Sequence, residues 1–153
     1  MRSGNWSGND TVWRMVHDIN KCVLFFDEHG LPRSEPRRYF ALIDGVIGGH
    51  RNGPEAPDPY PAGTLTAGGN PIAVDYATTV LMGLDPSRIP IVREGFGGSG
   101  LPLTRFGEED VVVLSNDPSW AGRARDLSGA ACHSFEPHFG WAEVLGGGVG
   151  RGA

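Results

Sequence analysis

Asp75 is the one charged residue between Asn70 and Gly83. Its neighbours Ile72, Ala73, Val74, Tyr76, Ala77, Val80, Leu81 and Met82 are apolar, and Thr78 and Thr79 complete the run. Burying a carboxylate on so apolar a helix costs several kcal/mol unless it is paired or hydrogen-bonded. Two compensations are open. Asp75 can ligate a divalent metal together with Asp44, and such hard oxygen ligands suit Mg²⁺ or Mn²⁺. Alternatively, it bonds a loop backbone or an arginine such as Arg51 or Arg88. Just upstream, Gly68-Gly69-Asn70-Pro71 leads from a strand into a helix start, where unbonded N–H groups and the positive end of the helix dipole can hold a carboxylate or phosphate. The plainer alternative is that the glycines serve the turn and Asn70 only caps.

Near the start of the chain, Asn5, Trp6, Asn9, Asp10, Arg14, His17 and Asp18 crowd polar groups together, with Asp10, Arg14 and Asp18 on one helix face at steps of four. They form either one wall of a polar cleft or a solvated face. The expected site therefore joins metal ligands Asp44 and Asp75 to a small anionic molecule held by Asn9, Asp10, Arg14, Asn52, Gly68, Gly69 and Asn70. In an enzyme, Asp44 and Asp75 would be metal ligands or general base, and Arg14 would orient the anion.

Several other chemistries lack their residues. The five histidines never form H-x-x-x-H or H-E-x-x-H, and neither G-x-x-x-x-G-K nor G-x-S-x-G occurs. Cys22 and Cys132 stand far apart with no C-x-x-C neighbour, so this chain is expected to hold no zinc ribbon and no iron–sulfur cluster. Gly95 to Gly100 spells G-x-G-x-x-G but follows a helical segment and precedes no strong helix, which removes the dinucleotide context.

These residues need elements to position them. From Asn9 or Asp10 the spacing of Val12, Met15, Val16, Ile19, Val23 and Phe26 predicts a helix with one buried apolar face, ended by Gly30 and Pro32. Tyr39–Ile43, Gly63–Ala67 and Val111–Leu114 read as strands. Between Gly45 and Pro61, four glycines and four prolines predict a long loop. Asn70 as N-cap, Pro71 in the first helical position and Gly83 beyond the far end frame a second helix. Asp85-Pro86 opens a further short one, restarting after Pro90. Strands separated by helices predict an α/β layered fold with a mainly parallel sheet flanked by helices. Residues 1–145 are expected to form one α/β domain and residues 146–153 a flexible glycine-rich tail.

The chain has 153 residues, enough for a core of its own; 24 glycines and 12 prolines give much of it to loops. Thirteen basic and eighteen acidic residues leave a net charge of −5 with no basic block, which argues against nucleic acid and anionic membranes as partners. With no apolar leader and no run of about 18 apolar residues, a soluble cytoplasmic protein is expected.

Three groups of residues resemble a known family: Asp44-Gly45-Val46-Ile47-Gly48-Gly49 with Asn52-Gly53-Pro54, Ala67 to Asp75, and Met82 to Pro86 through Ile89-Pro90. Together with Asn5 to Arg14 and Phe135-Glu136-Pro137 with Gly140-Trp141, they look like the C-terminal part of the uncharacterised family numbered 362 among the domains of unknown function. The resemblance implies a soluble protein without an established activity. Some members are fused to ferredoxin-like iron–sulfur modules, and members are usually much longer, with a strand-rich N-terminal half. On this resemblance the chain is expected to be an incomplete, C-terminal part of a larger domain. Two functions follow: a metal-assisted small-anion site, or a non-catalytic subunit that needs a second copy or a partner chain to supply missing strands.

Overall fold

A computed structural model describes residues 7–98, 100–127 and 132–145. The expected tail, 146–153, lies outside the described residues, as do Asn5 and Trp6. Helix α1 spans Val12–Phe25, and Asn9 helps to start it: its Oδ1 accepts from the Thr11 N–H at 3.1 Å and the Val12 N–H at 3.0 Å. The face that α1 buries differs from the expected one. His17 and Leu24 are buried, whereas Met15, Ile19 and Val23 are more than half exposed. Apolar periodicity reports that a face is suited to cover, not which neighbour supplies it. Here α1 packs on α3 (Pro90–Arg93) through the His17 side.

Strand β1 (Ala41–Gly45) pairs antiparallel with β4 (Thr64–Gly68), setting Asp44 opposite Leu65. Between them, the stretch expected as a loop is an antiparallel hairpin of β2 (Gly48–Asn52) and β3 (Ala56–Tyr60). Pro57 and Pro59 stand at alternate positions of β3, so their missing N–H groups fall on one side of the strand and the ladder to β2 is kept. A third pair, β5 (Val112–Val113) with β6 (Gly122–Arg123), is also antiparallel. Helices and strands thus mix as expected, but a mainly parallel sheet is not found: each described sheet is a two-stranded antiparallel ladder. Parallel pairing requires a crossover between strands of one sheet. The helices here separate β4 from β5, and those two strands are not bonded to each other.

Helix α2 (Pro71–Leu81) is the hub. Asn70 Oδ1 accepts from the Ala73 N–H at 3.0 Å, Pro71 occupies the first turn and Gly83 follows with φ +78°, all as the sequence signals. Tyr76, Ala77 and Val80 pack with Val92, Val111 and Ala124 in one cluster, and Ile72 packs with Leu24 and Leu103 in another. Each large apolar side chain so buried contributes roughly 1.5–3 kcal/mol. Past its end, the His133 N–H donates to Leu81 O at 2.7 Å and the Phe135 N–H to Met82 O at 3.1 Å, docking the C-terminal segment on α2. That segment also holds the hairpin. Arg51 pairs with Glu136 at 2.7 Å and Asp58 at 3.0 Å, and Tyr60 lies against Phe135 with ring centroids 4.3 Å apart. A last short helix, α4, spans Ala142–Leu145.

Candidate functional site

A cleft of about 510 Å³ lies over α2 between β4 and β5. Every residue from Gly63 to Asn70 and from Val111 to Asn116 borders it, while Ala73, Val74, Ala77 and Leu81 of α2 supply the floor and Trp120 closes part of the rim. Side chains alternate between the faces of a strand, so a cleft bordered by every residue of a strand runs along its main-chain edge. Because β1 takes the opposite edge of β4 and β6 that of β5, the edges facing the cleft are the ones with no strand bonded to them among the described residues. Among the described residues, no charged side chain borders it.

Gly68, Gly69 and Asn70 stand together at one end of this cleft. Gly68 is explained by packing: a Cβ there would come within 2.6 Å of Val74 Cγ2. Asn70 is used on both sides, accepting from Ala73 and donating from Nδ2 to Leu103 O at 2.9 Å. Gly69 has no comparable steric need, since the nearest atom to a Cβ built there is Tyr39 O at 3.7 Å.

The structure does not bring Asp44 and Asp75 together. Gly68 faces α2, so the alternating residues Leu65 and Ala67 point to the other side of the sheet, and Asp44, cross-strand from Leu65, shares that outward face. There Asp44 is exposed, its Oδ1 accepting from the Val46 N–H at 3.2 Å. Asp75 sits on α2 beyond the sheet, half-buried. Burial pushes its carboxyl above the usual 3.8, and the nearby imidazole of His17 offsets part of the rise. His17 is 5% exposed, and its Nε2 lies 2.8 Å from Ile91 O, a contact to a carbonyl in which the imidazole donates.

A raised carboxyl pKa means that the folded state holds its proton to higher pH than the unfolded chain does. Stability is then lost as pH rises from 3.8 through the folded value and stays reduced above it. Asp75→Asn is accordingly expected to raise Tm at pH 7, with the difference from wild type closing below pH 3.8. Thermal scans across this range check it, and a variant less stable at pH 7 would show that Asp75 has a partner worth more than its burial costs.

Asn9, Asp10 and Arg14 do lie together, but they bond to one another's segment. Asp10 accepts from Trp13 Nε1 at 2.8 Å and from Arg14 Nη2 at 2.9 Å, which holds its carboxyl below the usual range, the Trp13 bond contributing most. The Arg14 guanidinium lies 4.3 Å from the centre of the Trp13 ring. Asn9 and Asp10 border a cleft of about 470 Å³ with Arg88 and Arg93, remote in sequence from the β4–β5 cleft. Asn52 is exposed at the end of β2. The expected single pocket is thus dispersed: the anion-binding residues lie at the start of α1, the end of β4 and the hairpin, with Asp44 on the outward face of β1 and Asp75 on α2.

A sequence profile described as Domain of unknown function (DUF362) matches residues 2–80, just over half of the chain. The chain belongs to this family. The DUF362 match does not carry the assignment to the family's C-terminal part, and the segments at 82–90 and 135–141 fall beyond it. No curated protein and no solved structure matches the chain. Among the described residues of this DUF362 chain, no group of three or more His, Cys, Asp or Glu side chains is placed to hold a metal ion. No described helix is long and apolar enough to cross a membrane. The features that the motifs missed are two strand edges with no strand bonded to them among the described residues, and the open apolar side chains turned outward. Their only sequence signal is the alternation in Thr64-Leu65-Thr66, which reads equally well as a covered strand.

Proposed function

We propose that the chain is a non-catalytic binding subunit that works against a partner polypeptide. One observation carries the reading: on both the β1–β4 and the β5–β6 ladders, apolar side chains on the side away from α2 are open. Leu42, Leu65, Val112 and Leu114 are 63%, 67%, 59% and 91% exposed. Monomeric proteins rarely leave so many large apolar side chains open, and Met15, Ile19 and Val23 of α1 are likewise more than half exposed. The chain alone is expected to self-associate in size-exclusion chromatography and to bind an apolar dye. Leu65→Glu with Leu114→Lys is expected to remove more than half of both signals without lowering Tm, because neither side chain is in the core. A monodisperse, dye-silent monomer with sharp thermal unfolding would overturn the reading.

A second reading keeps a small anion with Mg²⁺ or Mn²⁺. It is favoured by the Gly68-Gly69 backbone opening onto the cleft at the first turn of α2, with Asp75 rather than the outward Asp44 as its nearest carboxylate in sequence. Calorimetry with Mg²⁺ or Mn²⁺ on wild type and Asp75→Ala tests it: equal heats from both proteins remove the metal.

A further inference from the structure

We propose that the cleft between β4 and β5 is a strand-acceptor site: an extended, uncharged segment of a partner polypeptide lies in it and bonds through its main chain to both edges. This rests on the partner-dependent reading and names how the partner engages.

The edges give the mode of recognition. In an antiparallel ladder alternate residues bond to the neighbour, and the N–H and C=O groups between them point away from it. On the five-residue β4 those groups point away from β1, and on β5, which is two residues long, away from β6, so a long edge and a short one face the same cleft. An unpaired edge is a template for another strand, and two edges facing one space can bond a strand on both sides. The cleft follows Thr64 to Gly68 for the length of a five-residue strand, roughly 17 Å at 3.3 Å per residue.

Charge selects the occupant. The chain carries 13 basic and 18 acidic residues, yet among the described residues none borders this cleft. A charged side chain entering it would lose hydration with no counter-charge to replace it, so an uncharged segment is the one that fits. Of the floor residues, Ala73 and Ala77 present only methyl groups, while Val74 and Leu81 offer apolar side chains. Leu65, Val112 and Leu114 border the cleft and are also among the open apolar side chains, so a partner that inserts a strand covers them in the same act.

The test uses the whole chain and a fluorescent, end-blocked hexapeptide of alternating threonine and valine, followed by fluorescence anisotropy and amide hydrogen exchange. Saturable binding is expected, with exchange slowed at residues 64–68 and 111–115. Because the occupant is bonded on both sides, N-methylation of either alternate set of peptide nitrogens is expected to weaken binding by roughly tenfold or more, about one lost hydrogen bond's worth. Absence of saturable binding up to millimolar peptide overturns the proposal. So does unchanged affinity after methylation, or a loss confined to one set, which a single edge would give. Dye binding and self-association without peptide binding leave the partner reading standing and this site gone; peptide binding by a dye-silent monomer does the reverse.

Discussion

Replacing Gly83 with valine is expected to cost about 3–5 kcal/mol and to lower Tm on the order of 10 °C. Two causes add. The residue has φ +78°, a conformation that costs an ordinary residue about 1–2 kcal/mol and a β-branched one more. A Cβ at this position would also run into the His133 carbonyl, which is backbone and cannot swing aside like a side chain. Relief requires the 132–135 segment to lift, which gives up the bonds of the His133 and Phe135 N–H groups to Leu81 O and Met82 O, each worth about 1 kcal/mol. Thermal or urea unfolding measures the loss, and Gly83→Ala should show a smaller version of it. A valine variant within about 1 kcal/mol of wild type would mean that the segment is not docked as described.

Asn70→Ala should cost about 2–3 kcal/mol, the second largest effect. Its Oδ1 caps α2 through the Ala73 N–H, a contact worth about 1 kcal/mol, and its Nδ2 serves the Leu103 carbonyl beside the Ile72 cluster, where an unserved acceptor costs about 1–3 kcal/mol. Asn70→Ser, which keeps a capping oxygen but cannot make both bonds, should recover about half of the loss. The same pair of variants separates a structural Asn70 from a ligand-binding one. A side chain kept for a ligand would leave Tm of the alanine variant within about 1 °C of wild type, whereas a cap cannot.

Local signals were readable where one residue decides a local geometry. Asn70, Pro71 and Gly83 framed α2 because capping, a fixed φ and a positive φ are each properties of a single residue. Asp85-Pro86 opened its turn for the same reason, Asp85 Oδ1 accepting from the Ser87 N–H at 3.0 Å. What depends on distant partners was not readable. The Gly- and Pro-rich stretch 45–61 forms a hairpin because Pro57 and Pro59 fall on the same side of β3, which depends on register and not on composition. Periodicity marked Met15, Ile19 and Val23 for burial, yet the face of α1 used here is the one with His17. The pairing of Asp44 with Asp75 failed for a similar reason: Asp44 belongs to one strand-end turn signal and Asp75 follows another, but the β1–β4 register sends one side chain outward, away from the helix that carries the other.

Arg51 makes one side chain the rivet between two pieces of the molecule. Its main-chain N–H reaches Glu136 O at 2.9 Å, while its guanidinium grips the Glu136 carboxylate and, at 3.0 Å, Asp58 on the opposing strand. The bond to Arg51 holds the Glu136 carboxyl below its usual range, so this fastening is intact above that range and slackens as acid protonates it. Only acid strong enough to reach that lowered range should therefore loosen the hairpin from the 132–137 ribbon, before the packing around Tyr76 and Val92 gives way.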